Sequence, residues 1–543
     1  MIKQKIYNFE KAREKGISFK EFLINFLTDK ETDLSNYKPE CVTFDMWSIL
    51  DRVKGTLKKA SKIAIVGDYD GDGMTSSAII YKTLRAIWPD KEYQIILPDR
   101  MNDGYGIKNK HVDMAKEEGA DLIITVDNGI NAVPVLKYAN SLGIATILTD
   151  HHIPNDDEYK DLDFVLNPHT SKSNLVEKEI CGAMVALLFS LNLMKECDYK
   201  ASDKFVKELK EIASIGTIAD SMPIRYENRA LLSECMPRFL EGVAINKGLQ
   251  LLISSLSKFT KLEQDNIAFY LVPCINACGR LDSAYLGFHL LTETNIQVIA
   301  KIASKLVSLN ERRKLISQDI EAYLNEQIDA NSKVQILQVP KNYHNYTDRE
   351  IGGVVGITAS KIVEASHEPS LIFYGNKFSG RSMPDVNLNE LLASSKTPTF
   401  TFGGHAQACG GGINFDEYGA SLKEELSKNV SGFSNNVFYE KYIRVPSDMN
   451  PLEILNAFMS IKPCNLVEIP KLMMENVIIK DKTSFYGHAQ LKFELGGLQK
   501  AIKFYDTLED VKTGDVVKRI IFKISPAQSK LEDYSIIIES IER

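Results

Sequence analysis

Four short clusters of acidic and histidine residues could do chemistry: Gly67-Asp68-Tyr69-Asp70-Gly71-Asp72-Gly73, Asp127-Asn128-Gly129, Thr149-Asp150-His151-His152 and Ile218-Ala219-Asp220. Carboxylates brought together repel one another strongly unless cations sit among them. Oxygen donors and an imidazole, without a thiolate, suit Mn²⁺ or Mg²⁺ better than Zn²⁺ or copper. Taken singly, each cluster also has a plainer reading, because Asp-Gly marks turns and a His-His pair more often packs or faces solvent. The pattern DxDxDG also opens an EF-hand loop. Ile79 stands where that loop needs its glutamate, which excludes calcium sensing.

The surrounding elements say why the clusters should meet. Apolar runs at 63–66, 93–97, 122–126, 144–148 and 164–166 read as strands, alternating with helix-length stretches such as 76–88 and 133–141. Short continuous apolar strands separated by helices predict a parallel, doubly wound sheet. The first three clusters directly follow strands, and in such sheets the carboxyl ends of strands form the ligand crevice. Helical patterns dominate from 181 to about 215. A charged-and-apolar stretch, 286–327, has helical spacing and the length to bridge two units. A second strand–helix pattern starts near Val334 and runs through the Gly-rich 401–413. Short strands at 476–479, 491–495, 516–524 and 534–541 suit a small β-barrel or sandwich.

The 543 residues make several domains more natural than one. A net charge of −7 does not advertise nucleic acid, though it leaves room for a local basic groove. No apolar run reaches the roughly 18 residues of a membrane span, and the N-terminus MIKQKIYNFEKAREK lacks the apolar core of a secretory signal, so the cytoplasm is expected. Eight cysteines without a CxxC pair indicate neither a disulfide framework nor a zinc knuckle.

In this order, GDYDGDGMTS, PDRMNDGYGI, ITVDNG, TDHH and GTIAD resemble the motifs of the DHH phosphoesterase superfamily. PCINACGRLDSA, GVVGITASKIVEASHEPSLIF, SGRS and FGGHAQACGGGI resemble its RecJ branch, the single-strand-specific exonucleases. The likeness covers roughly 37–413 and, more weakly, the C-terminal strands. It implies an α/β protein with a parallel-sheet DHH domain (37–225), a connecting helical region (226–330), a second α/β DHH-associated domain (331–445) and a C-terminal oligonucleotide-binding-type β-barrel (446–543). Residues 1–36 match nothing assignable.

The resemblance further implies 5′→3′ hydrolysis of single-stranded DNA to mononucleotides, in repair or recombination, with two Mn²⁺ or Mg²⁺ ions. Two such ions can activate a water and stabilise the leaving oxygen of an in-line displacement. Asp70 and Asp127 would bind one ion; Asp72, Asp127, His151 and Asp220 would bind the other. Relatives place a histidine at the position of Val66; here either Asp68 is the substitute ligand or the first ion binds more loosely. His152 would hydrogen-bond the scissile phosphate, and Asp150 would hold a neighbouring histidine.

For the substrate, Arg100, Tyr105 and Gly106 lie in PDRMNDGYG, where Gly104 and Gly106 are expected to permit close backbone approach. Asn276 and Arg280 form a polar pair in an expected loop, next to Cys274, where relatives often carry Arg. Arg381, Ser382, Gly403, Gly404 and His405 belong to Gly-rich segments whose N–H groups could reach phosphates. Phe485, Tyr486 and Phe504 are stacking candidates in the barrel. A monomer is expected, working with a single-strand-binding protein or a helicase. The rival readings are a DHH-type oligoribonuclease or cyclic-dinucleotide phosphodiesterase, a manganese pyrophosphatase and, from another class, a non-catalytic scaffold.

Overall fold

A computed structural model describes residues 3–27, 34–256, 266–383, 386–398, 400–432, 439–461, 471–504, 506–526 and 534–543. An N-terminal strand, β1 (Lys3–Asn8), precedes the first α/β unit. That unit is built on β2 (Lys62–Val66), β3 (Glu92–Ile96), β4 (Leu122–Val126), β5 (Ala145–Thr149) and β6 (Val165–Leu166). The strands pair in the order β3-β2-β4-β5-β6, all parallel, as the apolar runs predicted. The strand period of two divides the side chains between faces. Ile63 and Ile65 enter the core shared with helices Gly71–Ile87 and Gly182–Glu196, whereas Ala64 and Val66 enter the opposite core. Val66 is thus an apolar core residue.

One helix starts earlier than its apolar pattern suggests. The stretch expected from 76 begins at Gly71, because the Asp70 carboxylate caps the main-chain N–H groups of Asp72 and Gly73. Residues that read as a Gly-rich turn are therefore the first turn of a helix, and its N-terminus faces the strand ends.

The stretch 286–327 divides into helices Tyr285–Thr292 and Ile296–Asn325, with Asn295 capping the second. This long helix does bridge two units. Ile299, Ile302 and Leu306 bury in the first core, while Ile316, Ile320 and Leu324 bury with Leu337, Ile351 and Val354 of the next. The second unit holds β7 (Gln335–Val339), β8 (Ser370–Tyr374), β9 (Lys377–Arg381), β10 (Thr401–His405) and β11 (Ala408–Gly412), in the order β10-β11-β9-β8-β7. Helix Asp348–Ser366 makes the crossover between the parallel pair β7 and β8.

The C-terminal strands are β12 (Tyr439–Arg444), β13 (Lys471–Ile478), β14 (Asp481–Phe485), β15 (His488–Glu494), β16 (Leu498–Lys503), β17 (Val516–Pro526) and β18 (Tyr534–Glu542). Together with β1 they form one sheet in the order β1-β12-β13-β17-β18-β16-β15-β14, and no pairing among the described residues joins its two edges. The N-terminal segment, unassigned from sequence, belongs here. Strand β1 runs parallel to β12, and Phe9, Phe19 and Leu23 bury with Phe493 and Phe522. No helix of the described residues is long and apolar enough to cross a membrane.

Candidate active site

The clusters that follow β2, β4 and β5 meet at one edge of the parallel sheet, joined by Asp220, the residue capping the end of helix Asp203–Ala219. Around His151 Nε2 stand Asp127 Oδ1 at 3.1 Å, Asp220 Oδ2 at 3.5 Å and Asp72 Oδ2 at 3.8 Å. A second group, Asp68, Asp70 and Asp127, brings its oxygens within 4.8 Å of one another. Asp127 belongs to both groups, as does His151 to a third with Asp127 and His152.

Main-chain donors hold these acids. Asp72 accepts from Gly182 N (2.6 Å) and Ala183 N (2.8 Å), the first turn of helix Gly182–Glu196. Asp127 adopts the left-handed backbone, φ 59°, which is uncommon for non-glycine residues. The buried Oδ1 atoms of Asp68 and Asp127 accept no hydrogen bond. Burial, followed by the charge of Asp70, pushes the Asp72 carboxyl up to about 6. Burial and the neighbouring carboxylates raise Asp68, Asp127 and Asp220 well above the ordinary range. Orphaned acceptors and mutually repelling acids fit divalent cations.

Beside them, Asp150 acts as a hub. It accepts from Ile130 N (2.9 Å), His151 N (2.7 Å) and His152 N (3.1 Å), and it lies 2.8 Å from His152 Nδ1. Burial opposes the charge on His152, yet the bond and charge from Asp150 outweigh it and push the ring up to about 9. Tyr105 donates its hydroxyl to the Asp127 carbonyl (3.0 Å), with the same oxygen 3.0 Å from His152 Nδ1. Gly104 (φ 70°) and Gly106 (φ 74°) shape that loop by their left-handed backbone. A Cβ on Gly104 would meet no protein atom and one on Gly106 only Asn128 at 3.7 Å.

Across the cleft, Asn276 and Arg280 do not lie in a loop. They sit one turn apart on helix Val272–Leu281, which has Pro273 in its first turn. Gly279 of this helix is a contact point: a Cβ there would come 1.9 Å from the Tyr69 carbonyl. Asn276 Oδ1 accepts from Gly71 N (2.7 Å), so this side chain braces the acidic cluster. Arg280 donates to Gly353 O (3.2 Å), and a Cβ on Gly356 would lie 3.2 Å from Arg381 Nη2. Burial, then the charges of Arg100, Arg313 and Arg381, push the Arg280 guanidinium down to about 9. Arg100 lies over the Tyr69 ring, 4.1 Å from its centre. Ser382 spends its hydroxyl on the carbonyls of Val386 and Ala406. Gly403, Gly404 and His405 lie on the edge strand β10, and the His405 side chain falls outside the described residues.

Sequence reasoning missed several supports. Asn128 donates to the carbonyls of Val66, Gly67 and Val126 and accepts from Ile107 N, tying two strand ends to the Tyr105 loop. His169 bonds to the His151 backbone. It follows β6 as the other clusters follow their strands, and that rule could have flagged it. Gly182 and Ala183 carried no such signal, because only their N–H groups act.

Residues 62–217 match the DHH family, N-terminal domain. The chain's curated relatives include RecJ proteins. It is 33% identical over 373 residues to the single-stranded-DNA-specific exonuclease RecJ of Salmonella typhimurium, across 65% of this chain and 63% of that relative. The chain thus spans a little under two thirds of the curated relative's length. The crystal structure of RecJ from Thermus thermophilus in complex with Mn²⁺ shares the fold over 100% of this chain and 80% of its own, with a TM-score of 0.79 at 22% identity. That of exonuclease RecJ bound to manganese matches 74% of this chain and 97% of its own, with a TM-score of 0.61 at 28% identity.

Proposed function

We propose that this chain is an exonuclease that hydrolyses single-stranded DNA from the 5′ end to mononucleotides, using two divalent ions, Mn²⁺ or Mg²⁺, in repair or recombination. The observation that carries the reading is the ring of three carboxylates within 3.8 Å of His151 Nε2 at the strand-end crevice. The manganese-bound RecJ structures support the choice of ions, and the RecJ relatives support a single DNA strand as substrate.

Asp68, Asp70 and Asp127 would hold one ion; Asp72, Asp127, His151 and Asp220 would hold the other. When bound, the ions supply an activated water and neutralise charge on the phosphate and its leaving oxygen. Asp150 fixes His152 and keeps it protonated, so the ring can donate to a phosphate oxygen. The Tyr105 hydroxyl lies beside the same ring nitrogen. Arg100, Arg280 and Arg381 would grip the strand, with the main chain of Gly106, Gly403 and Gly404 and with Ser382 and His405 completing the groove. The reading extends to a cytoplasmic monomer that receives strands from a single-strand-binding protein or a helicase.

The test uses 5′- and 3′-labelled single strands, duplexes and dinucleotides with Mn²⁺, Mg²⁺ or EDTA. Metal-dependent release of mononucleotides from the 5′ end of single strands is expected. Cleavage of dinucleotides alone would move the assignment to the small-substrate phosphodiesterases, and no cleavage of anything would leave the scaffold reading.

A further inference from the structure

The exonuclease reading uses three arginines of the cleft, but the structure gathers four. Arg313 lies on the long helix Ile296–Asn325, half-buried, and its charge is felt at Arg280 together with those of Arg100 and Arg381. Its Nε donates to Asn310 Oδ1 (3.0 Å), and Asn310 Nδ2 donates in turn to Cys274 Sγ (3.4 Å). That chain fixes the guanidinium against helix Val272–Leu281, which carries Asn276 and Arg280.

Like charges gathered in a partly buried cleft normally recruit carboxylates, since an unpaired buried cation is costly. Among the described residues, none of these four forms an ion pair with a carboxylate, and Asp68, Asp70 and Glu311 act on Arg100, Arg280 and Arg313 only through their charge. Arg280 donates to the Gly353 carbonyl, Arg381 to the Gly380 carbonyl, Arg313 to Asn310, and Arg100 stacks on Tyr69 with its buried Nε unpartnered. Elsewhere the pattern differs: Arg238, Arg312 and Arg349 each pair with a carboxylate within 2.9 Å. A guanidinium carries five donors, so most of those on Arg313 point to no acceptor among the described residues. A polyanion is the partner such a group lacks.

We propose that Arg313 is a phosphate-binding residue of the cleft, presented by the long helix through Asn310, and that it holds a backbone phosphate of the strand. The inference rests on the exonuclease reading for its substrate. It places one wall of the substrate groove on the bridging helix itself, so that both α/β units and their connector contact the strand.

The test measures kcat and KM on a labelled single strand with Mn²⁺ across a series of KCl concentrations, for the parent protein, Arg313→Gln and Arg313→Lys. For Arg313→Gln, KM is expected to rise about tenfold with kcat nearly kept, as for loss of one charge-assisted bond. The slope of log kcat/KM against log salt should flatten by about 0.7, the share of one phosphate on a single strand. Arg313→Lys should keep the slope while KM rises several-fold, because lysine keeps the charge but loses the fork. Parental KM and slope in Arg313→Gln would overturn the proposal, as would a fall in kcat with the slope unchanged, the mark of a structural role. Should Arg313→Gln not fold, Arg313→Lys decides, and a parental KM there overturns the proposal. A parent that cleaves no single strand removes the exonuclease reading and this inference together, whereas a cleaving parent with an indifferent Arg313 removes only the inference.

Discussion

The two walls of the cleft are built on opposite plans. On the acidic wall, main-chain N–H groups fix the side chains: Asp70 by Asp72 and Gly73, Asp72 by Gly182 and Ala183, Asp150 by Ile130, His151 and His152. On the basic wall each of Arg280, Arg313 and Arg381 keeps a single tie to the described residues, and Arg100 only its stack on Tyr69. On the proposed function, the difference follows from what each wall faces. Ions demand oxygens at fixed positions, and helix N-termini supply rigid donors. A flexible polyanion needs charge with donors left over, which one-point tethers provide.

If the comparison is right, damage to the acidic wall should cost turnover and damage to the basic wall should cost affinity. Asp127→Ala removes the residue common to both acidic groups, and initial rates with Mn²⁺ should fall by at least about 10³-fold, several kcal/mol of transition-state stabilisation. Unchanged melting would assign that loss to chemistry. Asp150→Asn leaves the acids in place but loosens both histidines. A loss of about 10–100-fold is expected, with the Mn²⁺ titration midpoint moved upward, as for a partner behind a metal ligand.

On the basic wall, Arg280→Met should raise KM about tenfold and leave kcat within a small factor. A fall in kcat alone would blur the distinction between the walls. The smallest effect concerns the joint between them. Gly279→Ala gains about 1 kcal/mol of helix propensity but drives a Cβ against the Tyr69 carbonyl, at a cost of about 1–3 kcal/mol. Denaturant melting should show a net loss, and the displaced Tyr69 should weaken Mn²⁺ binding at its neighbour Asp70. A stabilised variant would show that the two walls are not mechanically joined there.

The acidic wall was largely legible because its side chains follow strands whose apolar runs are unmistakable, and strand ends converge by topology. What supports it was not. Asp72 is held by N–H groups 110 and 111 residues further on, and a donor common to every residue leaves no mark in a sequence. The basic wall was half legible. Arg100, Arg280 and Arg381 lie in distinctive motifs, but the helix under Asn276 and Arg280 was hidden by its glycine, which answers to a neighbour and not to a turn. Arg313 looked like one more charge on an amphipathic helix, and only the neighbours it faces set it apart. Strand β1 was missed because it is short and its partner lies at the far end of the chain.

That last pairing bears on how the molecule comes into being. The ion pair of Arg13 with Asp448 joins residues 435 positions apart, and β1 finds its partner at about the same separation. Contacts so remote in sequence form slowly. During synthesis both α/β units can finish folding while β1, Phe9 and Phe19 still wait for β12. The eight-stranded sheet is then the last body to form, and its completion draws the N-terminal strand into the same sheet as the C-terminal ones.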